Sequence, residues 1–132
     1  MTAPLDPRSQ ELLEAKNFAQ VGTLRKDGSP SVTPAWVDVK DGLVWLNSAE
    51  GRAWPTNLRR DPRVALNVQN LENTQEYVAI RGRVAEMTHD GADEHIDSLA
   101  KKYLGLDAYP FRQPGEQRVI IKVAPESVTH RG

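Results

Sequence analysis

The sequence contains no cysteine among its 132 residues. This absence excludes a disulfide framework, a cysteine-ligated zinc site and a thiol nucleophile, and it fits a protein of the reducing cytoplasm. Apolar runs are only a few residues long, and residues 1–5 show neither the charged start nor the apolar stretch of a signal peptide. We therefore expect a cytoplasmic protein with no membrane span and no export signal.

An excess of one charge sign is also lacking, because 17 lysines and arginines face 18 acidic residues, for a net charge of −1. Such a balance provides no long-range attraction to nucleic acid or to an anionic membrane, so we expect neither as a partner. Any anion binding would need a local cluster of cations. The length fits one domain over residues 1–132 with a single sizeable core.

The chain lacks the short motifs of several enzyme classes. It contains no GxGxxG dinucleotide-binding motif, no GxxxxGK[ST] phosphate loop and no serine-hydrolase elbow. Its three histidines, His89, His95 and His130, have no spacing that would place two imidazoles on one metal ion. We interpret all three as surface histidines and predict no metal site.

Helix, strand and turn signals divide the chain into short elements. Asp6 can cap a first helix that has Pro7 at its first position. The turn residues at 26–29 separate two β-prone runs and predict a hairpin. In chain order we predict a helix at 6–16, strands at 18–25, 31–39 and 43–47, a short helix within 48–61, strands at 64–68 and 77–84, a helix at 92–104 and a strand at 118–123.

Tight turns join the predicted strands, and strands and helices do not alternate regularly. This pattern favours a mainly β, α+β protein in which an antiparallel sheet closes into a barrel with flanking helices. The helix at 92–104 is amphipathic and should pack on the sheet. Pro34 cannot donate a hydrogen bond to a neighbouring strand, so its strand should be an edge or carry a bulge, where a ligand can approach.

Residues 48–61 combine groups that can hold an anion. Ser48 is a possible helix cap, Pro55 suits a first helical turn, and Arg52 adds a guanidinium. Backbone N–H groups at a helix start, hydroxyls and a guanidinium together can bind a phosphate. Spacing alone leaves a second interpretation open, in which these residues form the solvated basic face of a surface helix.

Residues 52–63, RAWPTNLRRDPR, resemble a segment of the form RxKxxNLRRDPR in the pyridoxamine-phosphate-oxidase-like proteins, specifically in the actinobacterial F420-dependent oxidoreductases. Residues 22–24 with 27–30 are similar to the opening hairpin of that family, and residues 77–84 are similar to its central strand. The resemblance covers most of residues 9–128. It implies a split β-barrel of the FMN-binding type.

The resemblance also implies an activity, a coenzyme and a site. The chain would be an F420-dependent oxidoreductase that transfers a hydride between the deazaflavin and an electron-poor double bond of a small-molecule substrate. In the family, the coenzyme lies in a groove at a homodimer interface, and no catalytic side chain is implied. The positions that the resemblance assigns to the coenzyme are Val32, Thr33, Pro34 and Ala35 beside the ring, Trp36 close behind it, Ser48 and Ala49 near the linker, Arg52, Ala53 and Trp54 at the phosphate, and Asn57 as an anchor of that loop.

The sequence departs from the family at Trp54, where the usual residue is a lysine. A tryptophan at this position would stack on the coenzyme or cover the site. For Trp36, Trp45 and Trp54 alike, packing in the core or at an interface is the alternative interpretation. The missing lysine also supports an alternative function, that of a non-catalytic protein which binds such a coenzyme or another amphipathic ligand.

FMN is the alternative coenzyme, since both coenzymes present a three-ring system and a phosphate. Extra cations at Arg59, Arg60 and Arg63 favour F420, because its polyglutamate tail is anionic. Residues 129–131 do not reproduce the substrate-binding signature of true pyridoxamine phosphate oxidases, so we do not expect a role in vitamin B6 synthesis. The loop at 109–115 either covers the substrate or is a plain surface loop.

Overall fold

The computed structural model describes residues 2–132, so Met1, part of the start predicted to carry no export signal, lies outside the described residues. The described residues form three helices and seven strands. Within 2–132, no helix has the length and apolar character needed to cross a membrane. In chain order the elements are α1 (Pro7–Glu14), β1 (Ala19–Leu24), β2 (Pro30–Ala35), β3 (Asp38–Lys40), β4 (Leu43–Ala49), α2 (Ala53–Arg60), β5 (Arg63–Gln69), β6 (Tyr77–Thr88), α3 (Ala92–Leu104) and β7 (Arg118–Arg131).

One antiparallel sheet holds all the strands of residues 2–132, in the order β2-β1-β5-β6-β7-β4-β3. β2 and β3 are its edges, so the sheet curls without closing. This is the split β-barrel with flanking helices that the resemblance implies, rather than the closed barrel expected from the strand pattern alone. Pro34 lies in the edge strand β2, as its missing N–H predicted.

Three of the predicted strands differ most from the structure. The strand expected at 31–39 is in fact two strands, because the chain leaves β1 after Ala35 and pairs with β4 from Asp38 onward. β6 and β7 continue to Thr88 and Arg131, well past their predicted ends. A proline and a glutamate interrupt the apolar alternation of β7, so the sequence signal stops before the pairing does.

A bulge in the pairing of β6 with β7 depends on a glycine. The register shifts between Arg81 and Gly82. A Cβ atom on Gly82 would lie 2.3 Å from the carbonyl oxygen of Ala124, so any side chain would force the two strands apart. The bulge bends the sheet locally and increases its twist, which helps it to curl.

The inner face of the curled sheet encloses the main apolar core. Helix α1 covers one side of this core with Leu12 and Leu13, and α2 adds Leu58. The cap predicted for α1 is confirmed, because Asp6 Oδ1 accepts the Ser9 N–H at 2.9 Å. The strand residues of the core are Ala19, Val21, Val44, Leu46, Val64, Leu66, Val68, Val78, Ile80, Val119, Ile121 and Val123.

Helix α3 packs on the opposite face of β4 and β7. Successive side chains of a strand alternate between its faces, so Ser48 faces the main core and Asn47 faces α3. Asn47 Nδ2 donates to the Ala92 carbonyl at 3.0 Å, which fixes the start of α3 on β4. A second apolar cluster forms here from Ile96, Leu99 and Tyr103 of α3 with Trp36 and Tyr109.

Candidate functional site

A cleft of about 450 Å³ opens beside the end of the edge strand β2. Small-molecule sites in proteins have volumes of roughly 300–1,000 Å³, so the cleft is large enough for a ligand. The end of β2, the starts of α2 and β7, and the loop at 105–117 surround it. Its lining consists of Phe18, Thr33, Pro34, Ala35, Trp36, Asn47, Arg52, Trp54, Ile96, Tyr109, Phe111 and Arg118.

Six of the eleven predicted coenzyme positions lie together in this lining: Thr33, Pro34, Ala35, Trp36, Arg52 and Trp54. Because β2 is an edge of the described sheet, half of its backbone polar groups point away from β1, and at Pro34 this group is a carbonyl alone because proline has no N–H. Such groups can hydrogen-bond the polar edge of a flat heterocycle. The end of β2 therefore suits a planar ligand.

Val32 and Ser48 lie away from the cleft. Val32 lies on the same face of β2 as Pro34 but outside the cleft lining, where it is 67% exposed and borders a groove over β1, β5 and β6. Ser48 is fully buried on the core side of β4, and its hydroxyl has no hydrogen-bond partner within residues 2–132. Contacts of these two side chains with a coenzyme stay predictions, and within residues 2–132 neither residue belongs to the cleft lining.

The last three predicted positions flank the start of α2. Ala49 is buried at the end of β4, and Ala53 is exposed in the first turn of the helix. Asn57 Nδ2 donates to Thr23 Oγ1 at 3.1 Å, and Asn57 Oδ1 accepts from Arg60 at 2.9 Å. Asn57 thus ties α2 to β1 and supports the helix that lines the cleft.

Helix α2 begins later than the predicted cap. Arg52 occupies the N-cap position, whereas Ser48, predicted as the cap, lies in β4 and pairs with Val119 of β7. Strand pairing with β7 therefore overrides the local capping signal. Pro55 lies in the first helical turn, as predicted.

The start of α2 has groups that can bind an anion. The first N–H groups of a helix have no acceptor within the helix, and the helix dipole adds partial positive charge there. The Arg52 side chain lies at the same place and is 49% exposed. These donors fit a phosphate, and the edge of β2 fits a flat ring, so the cleft fits a flavin-type coenzyme.

A chain of aromatic side chains forms one wall of the cleft. Trp36 stacks on Tyr103 with ring centroids 5.1 Å apart and an interplanar angle of 7°. Tyr109 meets Trp36 edge-on at 6.0 Å, and Phe111 meets Tyr109 at 5.7 Å. The loop that carries Tyr109 and Phe111 thus borders the cleft, and its covering of a substrate stays a prediction.

Tyr103 locks this wall to the barrel. Its hydroxyl donates to the Asn17 carbonyl and accepts the Val37 N–H at 3.1 Å. Burial raises the pKa of Tyr103 to about 12, so the hydroxyl keeps its proton and the hydrogen bond to Asn17 at all ordinary pH values. The neighbouring Lys102 Nζ donates to the carbonyls of Leu13 and Val37 at 2.9 and 2.7 Å.

Trp45 and Trp54 both pack against other residues of the chain. Trp54 is 7% exposed and belongs to the main core, with part of its surface in the cleft lining. Trp45 is half-buried against α3, where it meets the His95 ring edge-on at 5.4 Å. Trp54 therefore fills space in the core at the position where the resemblance led us to expect a lysine.

A buried polar network beneath the cleft was missed by sequence reasoning. Arg118, whose side chain is 3% exposed, donates from Nε to Asn47 Oδ1 at 2.9 Å. Asn47 Nδ2 in turn lies 3.1 Å from His95 Nδ1. His95 is buried, so its interpretation as a surface histidine is wrong, whereas His89 is exposed. A signal existed for His95, since it falls on the apolar stripe of α3.

The three arginines expected to favour F420 lie outside the cleft lining of the described residues. Arg59 pairs with Glu50. Arg60 donates to the Leu24 carbonyl at 2.8 Å, and Arg63 pairs with Asp61 at 2.7 Å. They give no support to a choice of F420 over FMN.

Comparison with known proteins gives one family match. The family described as pyridoxamine 5'-phosphate oxidase matches residues 5–132. No curated protein matches the chain.

Solved structures resemble the chain over nearly its whole length. One named F420 reductase has a TM-score of 0.82 and 25% sequence identity, covering 94% of this chain and 98% of the other. A conserved hypothetical protein from Mycobacterium tuberculosis has a TM-score of 0.75 and 20% identity, covering 98% and 86%. General stress protein 26 from Bacillus anthracis has a TM-score of 0.68 and 14% identity, covering 94% and 91%. The last two likenesses concern the fold alone.

Proposed function

The chain belongs to the pyridoxamine 5'-phosphate oxidase family, and from that premise we propose that it is an F420-dependent oxidoreductase that reduces an electron-poor double bond of a small-molecule substrate. The observation that carries the proposal is the cleft in which the edge of β2 faces Arg52 and the start of α2. Family membership supports a flavin-type coenzyme. Similarity to a structure named F420 reductase supports F420 over FMN.

The chain's own groups would bind and orient the coenzyme. The first turn of α2 and the Arg52 guanidinium would hold the phosphate, and the backbone of Thr33 to Ala35 would lie against the ring. Trp36 and Tyr109 would wall off the ring from water on one side. When bound in its reduced form, F420 supplies a hydride to the double bond, and a proton taken up from solvent completes the reduction.

Orientation is the main contribution of the protein in this proposal. A rigid wall and a fixed phosphate place the ring at one depth in the cleft, which raises the effective concentration of the reacting groups. We assign no side chain as proton donor, because the open cleft admits solvent.

We also propose a homodimer that adds a second wall to the cleft. The outer face of β2, β1, β5 and β6 combines the exposed apolar side chain of Val32 with small and polar residues around the groove that Val32 borders. A mixture of apolar and polar groups is typical of interfaces between protein chains. The groove is lined by Gln20, Gly22, Val32, Ala65, Leu66, Asn67, Ala79, Ile80, Arg81, Ser127 and Thr129.

Titration of the purified chain with F420 and with FMN, followed by quenching of coenzyme fluorescence, tests the proposal. We expect F420 to bind more tightly than FMN, and Arg52→Gln to weaken F420 binding by about tenfold through loss of a charge-assisted hydrogen bond. Arg25→Gln, at an exposed turn, removes the same charge elsewhere and should change nothing. Tight FMN binding without F420 binding would overturn the choice of coenzyme.

A second measurement separates an enzyme from a carrier. Reoxidation of reduced F420 by the chain is followed against a panel of enones and other electron-poor alkenes. Turnover with any member supports the reductase. Tight F420 binding without turnover across the panel would favour the non-catalytic alternative.

A further inference from the structure

Arg118 is a buried cation in the lining of the cleft. Its Nε atom donates a hydrogen bond to Asn47 Oδ1, and its Nη1 atom forms an ion pair with Glu116. Within residues 2–132, neither bond uses Nη2. The guanidinium carbon lies 5.1 Å from the centroid of the Tyr109 ring, so this cation sits under the aromatic wall. A charge buried at this place is costly unless it has partners, and the Nη2 nitrogen with its two N–H groups is left for a ligand.

The charges around Arg118 leave a positive excess in the cleft. Glu116 Oε1 accepts from Arg118 and also lies 3.4 Å from Arg52 Nη2. One carboxylate thus serves two guanidiniums that both line the cleft. In the coenzyme-free chain, an anionic ligand group would balance the second positive charge, and a neutral group would not.

We propose that Arg118 binds a carboxylate of the substrate, whose ring or other flat apolar part lies against Tyr109 and Phe111. Phe111 is 57% exposed at the mouth of the cleft and offers apolar surface for such a part. The substrate class is therefore a carboxylic acid that carries a flat apolar group. This inference rests on the proposed function, because it assigns the second ligand of the same cleft.

The surroundings of Arg118 favour the substrate as the source of the anion. Arg118 begins β7 and lies under Tyr109 of the loop at 105–117, whose aromatic side chains offer a contact for a flat apolar part of a substrate beside the guanidinium. A carboxylate on Arg118 would place the rest of the substrate between this loop and the edge of β2. That location adjoins the ring of the coenzyme.

Calorimetric titration with 2-naphthoate and with its neutral isostere 2-naphthamide tests the inference. Each titration is carried out on the coenzyme-free chain and on the chain saturated with F420 or FMN. We expect the acid to bind at least about tenfold more tightly than the amide, as one charge-assisted hydrogen bond allows. Arg118→Gln should reduce this ratio to about one, and Arg25→Gln should leave it unchanged. Equal affinity of the wild-type chain for acid and amide would overturn the inference.

Glu116→Gln provides a test of opposite sign that does not depend on the folding of Arg118→Gln. This substitution keeps the shape of the side chain and removes the charge that competes for Arg118. The acid should therefore bind to the variant at least about threefold more tightly than it binds to the wild type. Unchanged or weaker binding would count against the inference. Thermal unfolding checks that each variant is folded.

Coenzyme titrations distinguish the two proposals. Because Arg118 and Arg52 share Glu116, Arg118→Gln should change coenzyme affinity to some extent, but by less than Arg52→Gln does. Loss of coenzyme binding with an unchanged acid-to-amide ratio would assign Arg118 to the coenzyme phosphate and overturn the inference. Failure of the wild-type chain to bind either coenzyme would overturn the proposed function, while the ratio in the coenzyme-free chain would still decide the role of Arg118.

Discussion

Asp97 Oδ1 accepts the backbone N–H of Tyr109 at 2.8 Å. The same oxygen accepts from Arg112 Nη2 at 2.8 Å, and Arg112 Nη1 donates to Asp93 at 2.7 Å. One carboxylate of α3 therefore fixes the loop at 105–117 at two points. This clamp holds Tyr109 over Arg118 and against Trp36.

Removal of the clamp should loosen the aromatic wall. We expect Asp97→Ala to speed hydrogen exchange of the Tyr109 amide and to lower the free energy of unfolding by about 1 kcal/mol, as loss of a hydrogen-bonded acceptor costs. Asp97→Asn keeps an oxygen for the Tyr109 N–H and should have a smaller effect. Exchange of the Tyr109 amide at the wild-type rate in Asp97→Ala would show that the loop is held by other contacts.

Glu76 links α1 to the end of β7. Arg8 donates to its carboxylate at 2.7 and 2.6 Å, Asn70 Nδ2 at 2.9 Å, and His130 Nε2 lies at 2.7 Å. These partners, Arg8 above all, hold the pKa of Glu76 well below its ordinary value of 4.5. Since the unfolded chain binds this proton at a higher pH, the contribution of Glu76 to stability is present above about pH 4.5 and is lost as the pH falls.

We therefore expect Glu76→Gln to lower the melting temperature at neutral pH and to reduce its decrease in acid. Thermal unfolding from about pH 3 to about pH 7 measures both effects. Glu72→Gln, at an exposed position of the nearby loop, is the matched control and should follow the wild-type profile. Parallel profiles for the wild type and Glu76→Gln would contradict this account.

The bulge at Gly82 predicts a strict requirement for glycine. We expect Gly82→Ala to lower the free energy of unfolding by about 3 kcal/mol or more, because its Cβ would meet the Ala124 carbonyl oxygen at 2.3 Å. Gly22→Ala in β1 is the control, since its Cβ would lie 3.4 Å from the nearest atom. Urea denaturation measures the difference, and similar losses in the two variants would argue against a steric cause.

Replacement of Trp54 by the lysine that the resemblance led us to expect should destabilise the protein. Because the indole is buried in the main core, we expect Trp54→Lys to lower the free energy of unfolding by about 3–5 kcal/mol. Trp54→Phe keeps most of the apolar contact and should lose less. A stable Trp54→Lys variant that binds F420 more tightly than wild type would mean that the position serves the coenzyme rather than the core.

The proposed homodimer depends on the face that carries Val32. We expect Val32→Glu to convert the dimer to a monomer in light scattering at micromolar concentration, because a charge in an apolar interface is costly. Leu71→Glu changes another exposed apolar residue, which lies in the loop between β5 and β6, and should leave the dimer intact. A monomeric wild-type chain would refute the homodimer directly.

Local signals predicted most of the elements. The apolar stripe of α3 gave its bounds, the Asp6 cap fixed the start of α1, and Pro34 marked an edge strand. Each of these signals depends on neighbours in the chain. The break between β2 and β3 at residues 36–37 has a different origin. There the Val37 N–H donates to the hydroxyl of Tyr103, which lies 66 residues away in the sequence.

The site was only partly predictable for the same reason. Thr33 to Trp36 and Arg52 were found through a resemblance of short segments, which preserves the order of the elements around the cleft. Arg118 carried no such signal, because its contact with Asn47 depends on the pairing of β4 with β7. Ser48 was misplaced as a cap because the same pairing extends β4 beyond the point where a helix could begin.

The open edge of the barrel has a consequence for the behaviour of many copies of the chain in solution. An unpaired strand can recruit a strand from another molecule and seed fibrous aggregates. Two of the six residues of β2 are prolines, Pro30 and Pro34, and neither can supply an amide proton to an incoming strand. The edge that admits a ligand is thereby a poor template for polymerisation.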